Sequence, residues 1–125
     1  MVEFIREQTD LSKNDLFVDF MREWLENLRP SIEENTYESY LFTFNKHIKP
    51  FFEPKKIKTK DITPTHIQQY IRHKTQNVSA NTVRKHLVNI SKCLDSAVKQ
   101  NIIAFNSVKR IDLPKKTKIH RGKIL

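Results

Sequence analysis

The sequence predicts an all-α protein, a compact bundle of four to five short helices in a single domain. The chain of 125 residues has one glycine, whereas sheet proteins with tight turns usually need more. Apolar residues recur at spacings of three and four in four separate segments, which is the period of amphipathic helices. The hydrophobic fraction of 38%, with eight Phe, three Tyr and one Trp, suffices for one core in a domain of this length.

The first helix is predicted to follow a polar lead-in over residues 1–13. Asn14 or Asp15 can cap its start, and Pro30 ends it. Its apolar stripe consists of Phe17, Phe20, Met21, Trp24, Leu25 and Leu28. Its acidic residues lie off that stripe, at Asp19, Glu23 and Glu26. This helix therefore presents an acidic surface that would repel phosphate.

The second helix is predicted from about Glu34 to Ile48, before Pro50. Its inner face is formed by Tyr37, Tyr40, Leu41, Phe44 and Ile48. A loop from Phe51 to Lys60 follows. It carries a positive patch made of Lys55, Lys56, Lys58 and Lys60.

Two further helices follow from capping signals. Thr63 with Pro64 starts a third helix, which turns Ile67, Tyr70 and Ile71 inward. Ser79 caps a fourth helix over about residues 80–100. Its core stripe is Val83, Leu87, Ile90, Leu94, Ala97 and Val98. A short apolar segment over 102–108 predicts one more helical turn, and the basic, polar residues beyond it predict a linker or tail.

Charge is distributed unevenly along the chain, whose formal net charge is +9. Residues 1–50 hold 6 Lys and Arg against 10 Asp and Glu, whereas residues 51–125 hold 17 against 4. Such asymmetry favours a polyanionic partner, nucleic acid first and an anionic membrane surface second. No apolar run approaches the ~20 residues that span a bilayer, and the N-terminus lacks the pattern of a secretory signal. The lone Cys93 excludes an internal disulfide and fits a reducing compartment.

The residue types that carry catalysis or bind metals form no recognisable pattern here. One glycine cannot build a phosphate-cradling loop. The five histidines, which we interpret as ordinary surface or boundary residues, show no metal-ligand spacing; they are His47, His66, His73, His86 and His120. Cys93 lies near a core stripe, as a packed thiol would. We therefore predict no catalytic residue, metal site, cofactor or small-molecule ligand.

One face of the fourth helix points to DNA. Asn81, Lys85, Asn89, Lys92 and Lys99 fall along one side, with Arg84 beside them. The cations suit successive phosphates, and asparagine can pair with adenine in the major groove. A solvated helix surface explains this face equally well when the helix is considered alone. However, only two acidic residues follow residue 61, whereas a merely soluble surface mixes both signs.

Three motifs, taken in order, resemble the core-binding domain of tyrosine recombinases of the phage-integrase type. The first is the stretch 34–40, ENTYESY, followed by His47-Ile48-Lys49-Pro50. The second runs over 57–71, and the third opens with VSANTV at 78–83 and ends at Pro114-Lys115. The resemblance covers about residues 14–116. The family usually has Asn-Pro where this chain has Asn106-Ser107, which is expected to loosen that turn.

The resemblance implies a SAM-like bundle that forms half of a C-shaped clamp on DNA. Helices two and four would approach the major groove, and a basic linker would run along the DNA. Together with the basic face, this gives the following candidate contacts: Thr36, Ser39, Asn81, Thr82, Arg84, Lys85, Asn89, Lys92, Lys115 and Lys116. The implied partners are double-stranded DNA and other recombinase protomers, without a membrane.

The resemblance also implies that DNA binding and catalysis belong to separate domains. Residues 14–110 would form the core-binding domain, and residues 111–125 a linker toward a catalytic domain that this chain lacks. The chain itself is then not an enzyme, and its expected location is the cytoplasm, in a protein of bacterial or phage-derived origin. Two alternatives stay open: a stand-alone helix-turn-helix regulator, with residues 75–78 as its turn, or a protein-interaction bundle whose charge serves solubility.

Overall fold

The computed structural model describes residues 15–114. Its four principal helices are α1 (Phe17–Leu28), α2 (Glu34–Thr43), α3 (Pro64–Lys74) and α4 (Ala80–Lys99). Short 3-10 turns connect or follow them at Arg29–Ser31, Glu53–Lys55, Thr59–Asp61 and Ser107–Arg110. Within the described range the chain forms no strand beyond one isolated bridge. The predicted all-α bundle is confirmed.

The start of α1 differs from the prediction. The N-cap residue is a leucine that makes no side-chain capping hydrogen bond. Instead, the Asp15 carbonyl accepts hydrogen bonds from the backbone N–H of Thr59 at 2.9 Å and from its hydroxyl at 3.2 Å. The N–H of Phe17 donates to the carbonyl of Ile57 at 2.8 Å. Asp15 is therefore not the cap, because pairing with a distant segment satisfies this helix end; Asn14 lies outside the described residues.

The second helix continues past its predicted end. After α2 the chain makes a π-helical turn over Phe44–Ile48 and one more α-helical turn over Lys49–Phe52. Pro50 thus lies inside a helical stretch instead of ending it. Proline lacks an N–H and crowds the carbonyl four residues earlier, and a widened π turn relieves that crowding. The prediction of a loop starting at Phe51 is wrong for this reason.

The segment expected to be an open lysine loop is largely ordered into turns. Glu53–Lys55 and Thr59–Asp61 are 3-10 helical, and Lys56 between them adopts a left-handed conformation with φ 51°. Thr59 is buried beneath the start of α1. The segment therefore works as a brace for α1, while its lysine side chains remain exposed.

The predicted start of α3 is confirmed. The Thr63 hydroxyl accepts a hydrogen bond from the backbone N–H of His66 at 3.4 Å. In return, Nδ1 of His66 accepts one from the N–H of Thr63 at 3.1 Å. This reciprocal capping box has histidine where glutamate or glutamine is usual.

Both ends of α4 are fixed by local hydrogen bonds. The Ser79 hydroxyl accepts from the N–H of Thr82 at 3.2 Å, as predicted. Beyond the other end, Asn101 takes a left-handed conformation with φ 62°. The N–H groups of Asn101 and of the next residue donate to the carbonyls of Val98 at 3.0 Å and Ala97 at 2.9 Å. This is a Schellman cap in which asparagine takes the place of glycine.

One core lies between the four helices. Its largest fully buried side chains are Phe17, Met21, Leu25, Phe44, Ile48, Phe52, Ile67, Tyr70, Val83, Leu87, Ile90 and Leu94. Two predicted core residues, Trp24 and Tyr40, are half-buried and stack with ring centroids 6.4 Å apart. Cys93 is fully buried, and burial raises the pKa of its thiol, so its prediction as a packed residue is confirmed.

The turn after α4 is held by a buried asparagine. The side-chain amide of Asn106 donates to the Ser91 carbonyl and to Asp95 Oδ1, both at 2.9 Å. Its oxygen accepts from the N–H of Val108 at 2.9 Å, which caps the last 3-10 turn. Ser107, where the resembling family has proline, is buried and donates to the Ile62 carbonyl at 3.5 Å. These bonds hold the turn that we expected to be loosened.

Candidate nucleic-acid interface

Two contacts set the second helix beside α4. The Lys92 ammonium donates to the Tyr40 hydroxyl at 3.3 Å. The rings of His47 and His86 lie 4.4 Å apart, centroid to centroid. Tyr40 precedes His47 on the second helix, whereas Lys92, the partner of Tyr40, follows His86, the partner of His47, on α4. The two helices therefore run antiparallel. Their outer sides form one continuous surface.

On α4 this surface presents exposed Asn81, Lys85 and Lys92. Thr82 is half-buried, and its hydroxyl oxygen lies 3.0 Å from the Ser79 hydroxyl that donates to it. The helix cap thereby fixes the position of Thr82. The predicted exposure of Asn81, Lys85 and Lys92 on α4 is therefore confirmed.

Asn89 does not lie on this surface. It is 5% exposed and points toward the packed side of α4, although we expected it among the exposed residues. The reason is helical geometry. Each residue turns about 100°, so Asn89 lies between exposed Lys85 and buried Cys93 around the helix axis, at the edge of the packed side, where packing decides its burial. The prediction that Asn89 is exposed is wrong.

Arg84 lies on the flank of α4 that contacts the segment after Ser107–Arg110, in a groove that Lys92 also lines. Its Nη1 donates to the carbonyl of Pro114 at 2.9 Å, and the side chain is half-buried. Arg84 also lines an apolar groove with Val88 and Leu113. It therefore anchors the segment that leaves the bundle, and the structure separates it from Lys85, its neighbour in sequence.

The second helix contributes residues that the sequence interpretation missed. Of the predicted DNA contacts on the outer side of this helix, Ser39 is exposed and Thr36 is half-buried. Phe42 and Lys46 continue the same side, and Phe42 is 60% exposed. The spacing of three and then four between Ser39, Phe42 and Lys46 was the available signal. We call the surface formed by Ser39, Phe42, Lys46, Asn81, Lys85 and Lys92 the α2–α4 face.

A buried polar cluster lies beneath the α2–α4 face. His86 is 2% exposed, and its Nδ1 lies 2.8 Å from the Tyr70 hydroxyl oxygen. Nδ1 of His47 lies 3.2 Å from Nζ of Lys74. The interpretation of the histidines as ordinary surface or boundary residues is therefore wrong for His86. A side chain with two ring nitrogens is accommodated in the core because Tyr70 supplies a partner.

The electrostatics of this cluster keep its rings neutral. Desolvation, reinforced by His47 and Lys74, lowers the pKa of His86 to about 4. Desolvation also lowers the pKa of His47, followed by the nearby charges of Lys74 and Lys46. The pKa of Lys74 is lowered by desolvation. The positive charge of the α2–α4 face at neutral pH therefore comes from lysines.

Comparison with known proteins finds one similar family and one solved structure with the same fold. Residues 16–75 match the family model described as "Phage integrase, N-terminal SAM-like domain". Residues 16–75 are thus similar to the SAM-like domain of phage integrases. The solution structure of an integrase-like domain from Bacillus cereus has the same fold, with a TM-score of 0.71 at 22% identity. That match covers 83% of this chain and 89% of the other. Comparison with curated protein sequences gives no match.

The family match ends at residue 75 and so stops before α4. The candidate residues on α4 thus rest on the basic face and on the geometry described above. The structural match to the Bacillus cereus integrase-like domain supports a common bundle, and the SAM-like fold predicted from the sequence is confirmed.

One acidic residue of α1, Glu23, lies near the C-terminal end of α4. Asp19, Glu23 and Glu26 are exposed on α1, as predicted. Glu23 lines a groove with Ser96 and Gln100, near the C-terminal end of α4. Ser96 is eleven residues from Lys85, which is about 16 Å along a helix. Lys85 is therefore remote from Glu23.

The lysines of residues 55–60 form a separate positive region. Nζ of Lys55 lies 4.5 Å from the centre of the Phe51 ring, and its charge contributes, after desolvation, to lowering the pKa of His66 in the first turn of α3.

Lys115 and Lys116 of the predicted interface lie outside the described residues. Within residues 15–114, no group of three or more His, Cys, Asp or Glu is arranged to hold a metal ion. In the same range, no helix is both long enough and apolar enough to cross a bilayer.

Proposed function

We propose that this integrase-type domain binds duplex DNA through the α2–α4 face, as the core-site binding domain of a tyrosine recombinase. It would clamp DNA during site-specific recombination and DNA integration, while a separate catalytic domain performs strand exchange. The observation that carries this proposal is the α2–α4 face itself. Its six residues include three exposed lysines, on a chain whose residues 16–75 match the SAM-like domain of phage integrases.

The chemistry of the face suits a duplex. Lys46, Lys85 and Lys92 can neutralise phosphates, which supplies sequence-independent affinity. Exposed Ser39 and Asn81 provide hydrogen-bonding groups for base edges or phosphates. The major groove, about 12 Å wide, admits an α-helix.

Other candidate residues take supporting parts in the proposal. Thr36 and Thr82 flank the face and would contribute hydroxyl contacts. Arg84 would hold the segment that leaves the bundle, and Lys115 and Lys116 would extend the positive surface along a linker over residues 111–125. Other recombinase protomers are the proposed protein partners, and the bacterial cytoplasm is the proposed location. Asn89 is left out because it is buried.

A titration at two salt concentrations tests this proposal. Fluorescence anisotropy would follow binding to a labelled random-sequence duplex at about 50 mM and about 200 mM NaCl. Three phosphates neutralised by the α2–α4 face contribute roughly −2.7 to the log–log slope, since each contributes about 0.9. Lys85→Ala should weaken binding several-fold, whereas Glu23→Ala should leave it unchanged or slightly stronger. Affinity that ignores salt would refute DNA binding through this face.

A further inference from the structure

Phe42 is the most exposed of the large hydrophobic side chains in the described part of the chain. It is 60% exposed, whereas Phe44, two residues later, is 1% exposed. The second helix thus turns one phenylalanine into the core and another into solvent. A single exposed apolar residue is common on protein surfaces, so the meaning of Phe42 depends on its neighbours.

Those neighbours are cationic or polar. Nζ of Lys46 lies 5.9 Å from the centre of the Phe42 ring. The His47 ring meets the Phe42 ring edge-on at 6.4 Å. One turn earlier, Ser39 is exposed on the same side. Along this side of the helix the Ser39 hydroxyl, the Phe42 ring and the Lys46 ammonium follow one another. The Phe42 ring is the apolar member of this row.

His47 links this row to the rest of the α2–α4 face. Its ring is 4.4 Å from that of His86, the residue next to Lys85 on α4. Residues 39–52 of the second helix contain no Asp or Glu. Exposed Glu38 lies one turn before Phe42 on the same helix, so the positive charge beside the ring comes from Lys46 on its C-terminal side.

We propose that Phe42 reads DNA sequence by packing on the C5-methyl group of a thymine in the major groove, while Lys46 contacts an adjacent phosphate. The inference rests on the DNA-binding function proposed above. Each thymine displays its methyl group in the major groove, and apolar side chains, phenylalanine included, recognise it. The ring lies midway along a helix, and the minor groove, about 6 Å wide, does not admit one. This favours a methyl contact over a wedge between base steps.

The experiment begins with the full chain and a random duplex library. Duplexes enriched by the wild-type protein would be resynthesised with each thymine replaced in turn by deoxyuridine, which removes only the methyl group. Burying one methyl group predicts about fourfold weaker binding at the contacted position. Phe42→Ala should lose this response at that position, and Phe42→Leu, which stays apolar, should keep part of it.

The outcomes separate this inference from the DNA-binding proposal. If wild type binds with the expected salt dependence but no thymine responds, or no sequence is enriched, Phe42 does not read a methyl group. The same conclusion follows if Phe42→Ala keeps the wild-type response at every thymine. If wild type binds no duplex at all, the DNA-binding proposal fails, and this inference fails with it.

Discussion

The hydroxyl oxygen of Tyr70 lies 2.8 Å from Nδ1 of His86, joining α3 to α4 inside the core. Tyr70 is fully buried and His86 is 2% exposed. Burial raises the pKa of the tyrosine and, with His47 and Lys74, lowers that of the histidine. Both side chains are thus held neutral beneath the α2–α4 face.

This pairing predicts that the protein loses stability in mild acid. The pKa of His86 is about 4 in the folded protein, whereas that of an unfolded histidine is 6.5. The unfolded state therefore binds more protons between these values, so stability is present above about pH 6.5 and is lost as pH falls toward 4. The loss from His86 is at most about 3 kcal/mol, from ~1.36 kcal/mol per pKa unit. Urea unfolding at several pH values measures it.

A variant isolates the contribution of His86. His86→Gln keeps a hydrogen-bonding side chain without titrating, so its stability should change less across this window. A smaller dependence should persist, because the pKa values of His47 and His66 are also lowered. His73→Gln removes an exposed histidine and should behave like wild type. An equal pH dependence in wild type and His86→Gln would show that His86 is not the titrating group.

Asn106→Ala should destabilise the fold by about 2–3 kcal/mol. The side chain is buried and bonds to Ser91, Asp95 and Val108, and removing it leaves partners unsatisfied. The hydrogen bond from Asn106 is also the largest cause of the lowered pKa of Asp95. Thermal or urea unfolding checks the loss. Asn77→Ala, at an exposed position after α3, should cost far less; equal losses would argue against the turn as an anchor.

Asn101→Val should destabilise the end of α4 by about 1–2 kcal/mol, while Asn101→Gly should be neutral or stabilising. A β-branched residue is strained at φ 62°, whereas glycine adopts this conformation freely. Unfolding curves of the two variants measure the difference. If the two variants were equally stable, the Schellman cap would not constrain this position.

The periodicity of apolar residues and the capping residues were sufficient to predict the number and order of the four helices. Thr63 and Ser79 cap as predicted because capping depends on neighbouring residues. The end of the second helix was not predictable. The π turn before Pro50 relieves the crowding between the proline ring and an earlier carbonyl, and the sequence pattern does not show that this turn forms. The start of α1 was missed because Thr59 pairs with Asp15 from 44 residues away.

The candidate interface was predicted in part. Lys85 and Lys92 are exposed because they lie opposite the apolar stripe. Asn89 was misplaced because it lies at the edge of that stripe, where packing against a neighbouring helix decides burial. Phe42 was missed because an aromatic residue is usually assigned to the core.

Arg84→Ala and Lys85→Ala should have different effects, although the residues are adjacent. Arg84 bonds to the Pro114 carbonyl, so its loss should release the segment over 111–114 and increase proteolysis there. Lys85 is exposed on the α2–α4 face, so its loss should weaken DNA binding more than the loss of Arg84. Limited proteolysis and duplex titration of both variants measure this. Equal losses of DNA affinity would contradict the separation of the two flanks.

The salt dependence of duplex affinity tests the central claim most directly. The variant Lys46→Ala/Lys85→Ala/Lys92→Ala would be compared with wild type and with Arg22→Ala, which removes a cation from the acidic helix α1. We predict that the log–log slope of the triple variant is shallower by about 2.7, since each phosphate contact contributes about 0.9. Arg22→Ala should keep the wild-type slope. A triple variant with the wild-type slope and affinity would contradict DNA binding by the α2–α4 face.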